Sequence, residues 1–310
     1  MDIIEQAAKR LEELRRAGAD LPAESGAAAA QVGAGATAAA PPAAAVAPAV
    51  AAIDPPAAAS RQVKLDLAVL AANGIVTPDS DRTQLADELR VIKRPLLRNA
   101  TGKGAAPIRD ANLIMITSAM PGEGKTFLAT NLAMSIAMEL DHTVLLVDAD
   151  VARPSLPRVF GIGREKGLLD VLTDSAIDLG RVLLRTDIEK LSILPAGTQH
   201  PRATELLASE AMNSLLAEMA RRYPDRIIIF DSPPLLVTTE ARALASHMGQ
   251  VVLVVRAEDT THAEVRNAVA AIESCPVKMV ALNRASAHPD GYGYGYGYGY
   301  GYGYARKANS

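Results

Sequence analysis

Cysteine is almost missing from this sequence: its 310 residues contain one, Cys275. No disulfide can close within the chain, so the fold must rest on burial and hydrogen bonding, which fits a reducing compartment. Net charge is almost missing as well. Thirty-two Lys and Arg stand against 35 Asp and Glu, a formal −3, and this gives no reason to expect nucleic acid or an anionic membrane as partner. A long apolar run is also lacking. The stretch Ala27 to Ala59 is long enough to span a bilayer but is nearly all Ala, interrupted by Pro41, Pro42, Pro48, Pro55 and Pro56. Alanine is weakly apolar and the prolines would break the helix that lipid demands. Met1 to Gly18 is rich in Glu and Arg, unlike a secretory leader, so the cytoplasm is the expected location. Aromatics are few, with no Trp and three Phe, yet seven of the eight tyrosines crowd between Tyr292 and Tyr304.

What is present divides the chain into four parts. Residues 1–18 read as a short amphipathic helix, with Ile3, Ile4, Ala7, Leu11 and Leu14 on one face. Such a helix is marginal alone and suits docking or self-association. Residues 19–60 form an Ala/Pro linker with too little apolar surface to repay its ordering entropy. Residues 61–284, roughly 220 of them, have ordinary globular composition and can bury a full core. Residues 285–310 are the Gly-Tyr tail.

Within the third part, strand-length apolar runs occur at Leu113–Ile116, Thr143–Val147, Leu191–Leu194, Arg226–Phe230, Val251–Val255 and Val277–Leu282. Amphipathic stretches such as Phe127–Glu139 and Thr204–Arg221 separate most of them. Continuous apolar runs are what buried parallel strands look like, so the expected fold is a doubly wound, mostly parallel α/β sheet.

Directly after the first run comes Ala119-Met120-Pro121-Gly122-Glu123-Gly124-Lys125-Thr126, a P-loop (Walker A) pattern with a strand before it and a helix after. Gly122 and Gly124 let the backbone curl until its N–H groups face phosphate oxygens, and the start of the following helix, from Phe127, adds its positive end. Lys125 would neutralise the β and γ phosphates of ATP, and Thr126 would offer its hydroxyl to Mg²⁺. Two further runs end in acids, one at Asp148-Ala149-Asp150 and one at Asp231. Ligands of open α/β sheets bind at the carboxyl ends of strands, so these carboxylates should converge on the phosphates. Asp231, with Asp148, would hold the metal, and a carboxylate beyond the metal's needs suggests a general base for an incoming hydroxyl.

In this order, the P-loop, the Asp148–Asp150 motif, the Asp231 motif and the terminal tyrosine cluster resemble the bacterial tyrosine kinases, or BY-kinases. Among these, Glu88-Leu89-Arg90-Val91-Ile92-Lys93-Arg94-Pro95-Leu96-Leu97 and Glu205-Leu206-Leu207-Ala208-Ser209-Glu210 are similar to the soluble autokinases of exosortase-linked exopolysaccharide loci. The resemblance implies that ATP and Mg²⁺ serve autophosphorylation of the tail tyrosines Tyr292, Tyr294, Tyr296, Tyr298, Tyr300, Tyr302 and Tyr304. It also implies ring-like homo-oligomers, a membrane protein of polysaccharide export as activator and recruiter to the inner face of the membrane, and a tyrosine phosphatase. Lys125, Thr126, Asp148, Asp150 and Asp231 match the family's functional positions. The family's basic residue two positions after the second aspartate falls on Ala152, with Arg153 next, and its oligomer-contact motif falls on Asp87, Arg90 and Lys93. Asn283, ending the last run, stands where related ATPases contact adenine. The competing reading is a regulatory ATPase of the MinD/ParA type. Those proteins carry a lysine five positions before the P-loop lysine, and Met120 stands there.

Alternate glycines weaken the tail as a strand, and a tyrosine kinase needs an acceptor segment able to enter its site. Extended, the tail spans at most roughly 80 Å; as a flexible coil it averages about 30 Å. Either a subunit's own site or a neighbour's is within reach.

Overall fold

A computed structural model describes residues 61–80, 83–222 and 226–285. The expected N-terminal helix, the Ala/Pro linker and the tyrosine tail lie outside the described residues.

Eight strands form one sheet: β1 (Gln62–Val63), β2 (Leu113–Ser118), β3 (Thr143–Asp148), β4 (Leu184–Thr186), β5 (Leu191–Leu194), β6 (Arg226–Asp231), β7 (Gln250–Arg256) and β8 (Val277–Asn283). Their order is β1-β4-β5-β3-β6-β2-β7-β8, and every neighbouring pair is parallel except β4 with β5. The doubly wound, mostly parallel sheet read from the sequence is the fold. The central strands are buried on both faces because their apolar runs are continuous. In β2, Leu113 and Met115 face one core while Ile114 and Ile116 face the other. Phe230 with Ile228, and Ile227 with Ile229, divide in the same way along β6.

One face is covered by the helices Leu67–Ala72, Gln84–Ala100, Lys125–Ala137 and Leu156–Phe160, and the other by Leu168–Thr173, Ala203–Leu207, Glu210–Arg222, Thr239–Ala245 and His262–Ala271. The helix Lys125–Ala137 lies between the sheet and Gln84–Ala100, so its apolar residues circle it instead of forming a stripe.

Three features differ from the sequence reading. The stretch expected as one helix over Thr204–Arg221 is two, Ala203–Leu207 and Glu210–Arg222. Ser209 makes the break: its hydroxyl donates to Leu206 O at 2.7 Å and accepts from Met212 N at 3.2 Å, closing one helix and capping the next. Strands β1 and β4 were not expected. At two and three residues they are too short to show a period, and β4 is placed by a turn in which the Thr186 hydroxyl accepts from Ile188 N and donates to Leu191 O. Strand β8 reads as a buried run but lies at the sheet edge, with Lys278, Val280 and Leu282 exposed. Apolarity alone does not separate an edge strand from a central one.

Candidate active site

Strands β2, β3 and β6 are neighbours in the sheet and end together, so the P-loop after β2 meets Asp148 at the end of β3 and Asp231 at the end of β6. Asp148 and Asp231 are direct partners across the β3–β6 ladder. Both are fully buried.

The P-loop needs its glycines for geometric reasons. Gly124 has φ +101° and begins the helix Lys125–Ala137. A Cβ there would lie 2.0 Å from Asn283 Nδ2. Among the described residues, the backbone N–H groups of Gly122, Glu123 and Gly124 donate to no other residue, which leaves them for an anion at the helix N-terminus. Pro121, without an N–H, and Gly122 are exposed, and Lys125 is buried. Phe127 is half-buried and packs against the core beneath the loop.

The Glu123 side chain braces the loop. It is buried, accepts from Met120 N at 2.7 Å and takes a short hydrogen bond from the Thr260 hydroxyl. Asn283 Nδ2 donates to Glu123 O at 2.8 Å, while Asn283 Oδ1 accepts from Arg284 N at 2.9 Å. Both halves of the Asn283 amide are therefore engaged with backbone, and Asn283 stands at the base of the loop.

The carboxylates are linked by a residue that no sequence motif singles out. Ser155 Oγ lies 2.9 Å from Thr126 Oγ1 and donates to Asp231 Oδ2 at 3.3 Å. Ser155 N and Leu156 N each donate to Asp148 Oδ2 at 3.0 Å. Asp150 is half-buried, and its Oδ1 accepts from Arg153 N at 3.2 Å.

These acids are held away from ionisation. Burial, then the Asp231 charge, pushes Asp148 up to about 8, against the pull of the Leu156 and Ser155 N–H groups. Burial pushes Asp231 up to about 6, opposed by Thr126 and Lys125. Burial also raises Asp150, with Lys125 pulling the other way. Three buried side-chain oxygens lack a hydrogen-bond partner among the described residues: Asp148 Oδ1, Asp231 Oδ1 and Thr130 Oγ1. Two of the three thus belong to the paired acids. Buried carboxylate oxygens without donors are costly unless a cation meets them. The donor set of one hydroxyl and two carboxylates fits Mg²⁺, which keeps several waters and takes its other ligands from substrate phosphates.

One expected grouping resolves differently. Arg90 forms an ion pair with Asp87 on its own helix. Lys93 is buried, donates to Ser135 O at 2.8 Å and pairs with Glu139 at 2.5 Å. It fastens Gln84–Ala100 to the end of the P-loop helix within the subunit. A lysine stem long enough to cross between two helices carries this choice.

Residues 111–278 match the family described as AAA domain, more than half of the chain. The tyrosine-protein kinase YwqD of Bacillus subtilis is 33% identical over 172 residues, covering 56% of this chain and 71% of that protein. The tyrosine-protein kinase Wzc of Salmonella typhimurium is 32% identical over 183 residues, covering 58% of this chain and 25% of Wzc. The chain thus spans about a quarter of the length of the longer relatives it matches. The solved kinase domain of VpsO superposes with a TM-score of 0.52 at 30% identity, over 66% of this chain and 100% of that one. With the P-loop, Thr126, Asp148, Asp150 and Asp231 gathered at one end of a parallel sheet, the chain belongs to the bacterial tyrosine-protein kinases.

Proposed function

We propose that this chain is an ATP-dependent tyrosine autokinase in which residues 61–284 are the catalytic unit and residues 285–310 carry the acceptors Tyr292, Tyr294, Tyr296, Tyr298, Tyr300, Tyr302 and Tyr304. The observation that carries the reading is the Asp148–Asp231 pair behind the P-loop, each acid with one buried oxygen lacking a partner. The N–H groups of Gly122, Glu123 and Gly124 take up phosphate oxygens, and Lys125 faces the transferring phosphoryl group. Thr126, Asp148 and Asp231 would hold Mg²⁺, which when bound neutralises charge on the phosphates. Asp150 is the acid left over. Raised by burial, it is a stronger base than a surface carboxylate once ionised, and it is suited to take the proton of a phenol. The tyrosine oxygen bonds to the γ phosphorus and the bond from that phosphorus to the β–γ bridging oxygen breaks. ADP leaves with the electron pair, and the phenolic proton passes to Asp150.

From their own sequence patterns, residues 1–18 would serve docking or self-association and residues 19–60 would be a linker. The kinase acts as a homo-oligomer in the control of exopolysaccharide synthesis and export, with a membrane co-polymerase as activator and a tyrosine phosphatase to reset it. Among the described residues no helix is long and apolar enough to cross a membrane; recruitment to the inner face is assigned to that partner on the resemblance. The test is to incubate the purified chain with and without Mg-ATP and map phosphate by mass spectrometry. Phosphate confined to the Tyr292–Tyr304 cluster and dependent on Mg-ATP is expected; a chain free of phosphotyrosine refutes the assignment.

A further inference from the structure

Ser155 stands at the N-cap of the short helix Leu156–Phe160, where a serine hydroxyl ordinarily accepts from the first turn of its own helix. Here it makes no such bond. Pro157, second in the helix, has no N–H to give, and the hydroxyl turns the other way, toward Thr126 and Asp231. A serine that forgoes its cap is available for other contacts. This one joins Asp148, Thr126 and Asp231, which lie 7, 29 and 76 positions away.

These contacts sort the oxygens of the two acids. Ser155 N, with Leu156 N, holds Oδ2 of Asp148, and Ser155 Oγ holds Oδ2 of Asp231. The other oxygen of each acid, Oδ1, is buried and has no partner among the described residues. A single residue thus occupies one oxygen of each carboxylate and leaves the second oxygen of each unclaimed.

The hydroxyl protons are sorted as well. An ionised carboxylate only accepts, so the bond to Asp231 takes the one hydroxyl proton of Ser155. The 2.9 Å contact between Ser155 Oγ and Thr126 Oγ1 then has Thr126 as its donor. The Thr126 proton is committed to Ser155, and a lone pair of Thr126 is left over. A hydroxyl ligates a metal only through a lone pair, so this ordering prepares Thr126 for a cation. Without Ser155 Oγ the same proton would be free to rotate into the site.

Resting on the Mg²⁺ site read above, we propose that the Ser155 hydroxyl is a positioning residue for the metal. It acts through Thr126, whose proton it draws aside, and through Asp231, one oxygen of which it occupies while the other stays open. Its backbone N–H serves Asp148 in the same way and survives any change of side chain.

The test compares the full chain with Ser155→Ala and Ser155→Thr by the affinity of a fluorescent ADP analogue, in chelator and at saturating Mg²⁺. The ratio of the two affinities reads the coupling of metal to nucleotide without any phosphoryl transfer. Ser155→Ala keeps the N–H to Asp148, so its affinity in chelator should be nearly that of the wild type. Its gain from Mg²⁺ should shrink about tenfold or more, the usual loss when a group that orients a metal ligand is removed. Ser155→Thr keeps the hydroxyl, and its added methyl has room in a cavity of about 370 Å³ that Ser155 lines with Ile75 and Val159. It should restore the gain.

An equal gain in wild type and Ser155→Ala overturns the proposal and leaves the kinase reading standing. A Ser155→Ala affinity that falls as far in chelator as in Mg²⁺ also overturns it, because the serine would then brace the fold and not serve the metal. So does a Thr variant as impaired as the Ala variant, since the hydroxyl would not be the group at work. If Mg²⁺ gives the wild type no gain, the metal site and this proposal fall together, and the phosphate mapping described above decides the kinase reading separately.

Discussion

Replacing Asp148 by Asn should make the metal-free protein more stable and the enzyme inactive. Burial and the adjacent Asp231 hold the Asp148 carboxyl up to about 8 in the folded protein. Unfolded, it titrates near the ordinary value of about 3.9. An acid raised by folding contributes stability that is fully present below the unfolded value and is lost as pH climbs toward the folded one. At about 1.4 kcal/mol per pH unit, the wild type should lose up to roughly 4 kcal/mol from this group between about pH 4 and pH 7. Asparagine has no proton to lose. Its carbonyl can still accept from Ser155 N and Leu156 N, and its amide can donate toward the Asp231 oxygen that has no partner. The stability of Asp148→Asn relative to wild type should therefore rise by about 3 kcal/mol between about pH 5 and pH 7. Urea unfolding of both proteins in chelator across that range measures the difference directly. Tail phosphorylation at saturating Mg-ATP should fall at least about a hundredfold in the same variant. Parallel stability profiles would refute the reasoning, because they would mean Asp148 is ionised at no cost in the empty site.

Three further outcomes are expected. Lys125→Met should lower phosphotyrosine formation by about 10²–10³ or more with thermal unfolding little changed; normal anti-phosphotyrosine staining would remove Lys125 from the transfer step. Asp231→Asn should raise the Mg²⁺ concentration needed for half-maximal activity, since an amide holds the metal's water shell less strongly than a carboxylate; an unchanged Mg²⁺ titration would leave Asp231 a structural role. Gly124→Ala combines a positive φ with a Cβ 2.0 Å from Asn283 Nδ2, so nucleotide affinity measured by calorimetry should collapse. Adding Asn283→Ala should recover only part of it, because the left-handed backbone still disfavours Ala by about 1–2 kcal/mol.

The fold and the centre of the site were legible because both are written locally. A P-loop is eight consecutive residues between a strand and a helix, and Asp148 and Asp231 each end an apolar run, so strand ends and acids could be read in one pass. The parallel sheet followed from the continuity of those runs. What was not legible depends on where the chain returns. Strand β4 pairs antiparallel with β5 through a turn held by one threonine hydroxyl, and β8 is an edge strand only because nothing follows it in the sheet order. Lys93 looked like part of a surface charge motif, and only the packing of Gln84–Ala100 against the P-loop helix turns it inward to Glu139.

The same division runs through the site. Residues proposed to meet the phosphates lie in motifs, whereas those that hold the motifs in place come from far along the chain. Thr260 reaches Glu123 across 137 positions and Asn283 reaches it across 160. Neither spacing carries any period. Both contacts arise because β7 pairs with β2 and β8 with β7, all parallel, which brings the carboxyl ends of β7 and β8 to the side of the sheet where the loop after β2 lies. A loop whose glycines permit many conformations must be restrained by something outside itself if its N–H groups are to stay aimed at one phosphate. Here the buried Glu123 carboxylate and backbone carbonyl provide that restraint, one gripped by Thr260 and the other by Asn283. Glu123, which in the motif alone is an unconstrained position, is therefore the residue through which the distant strands fix the geometry of the phosphate site.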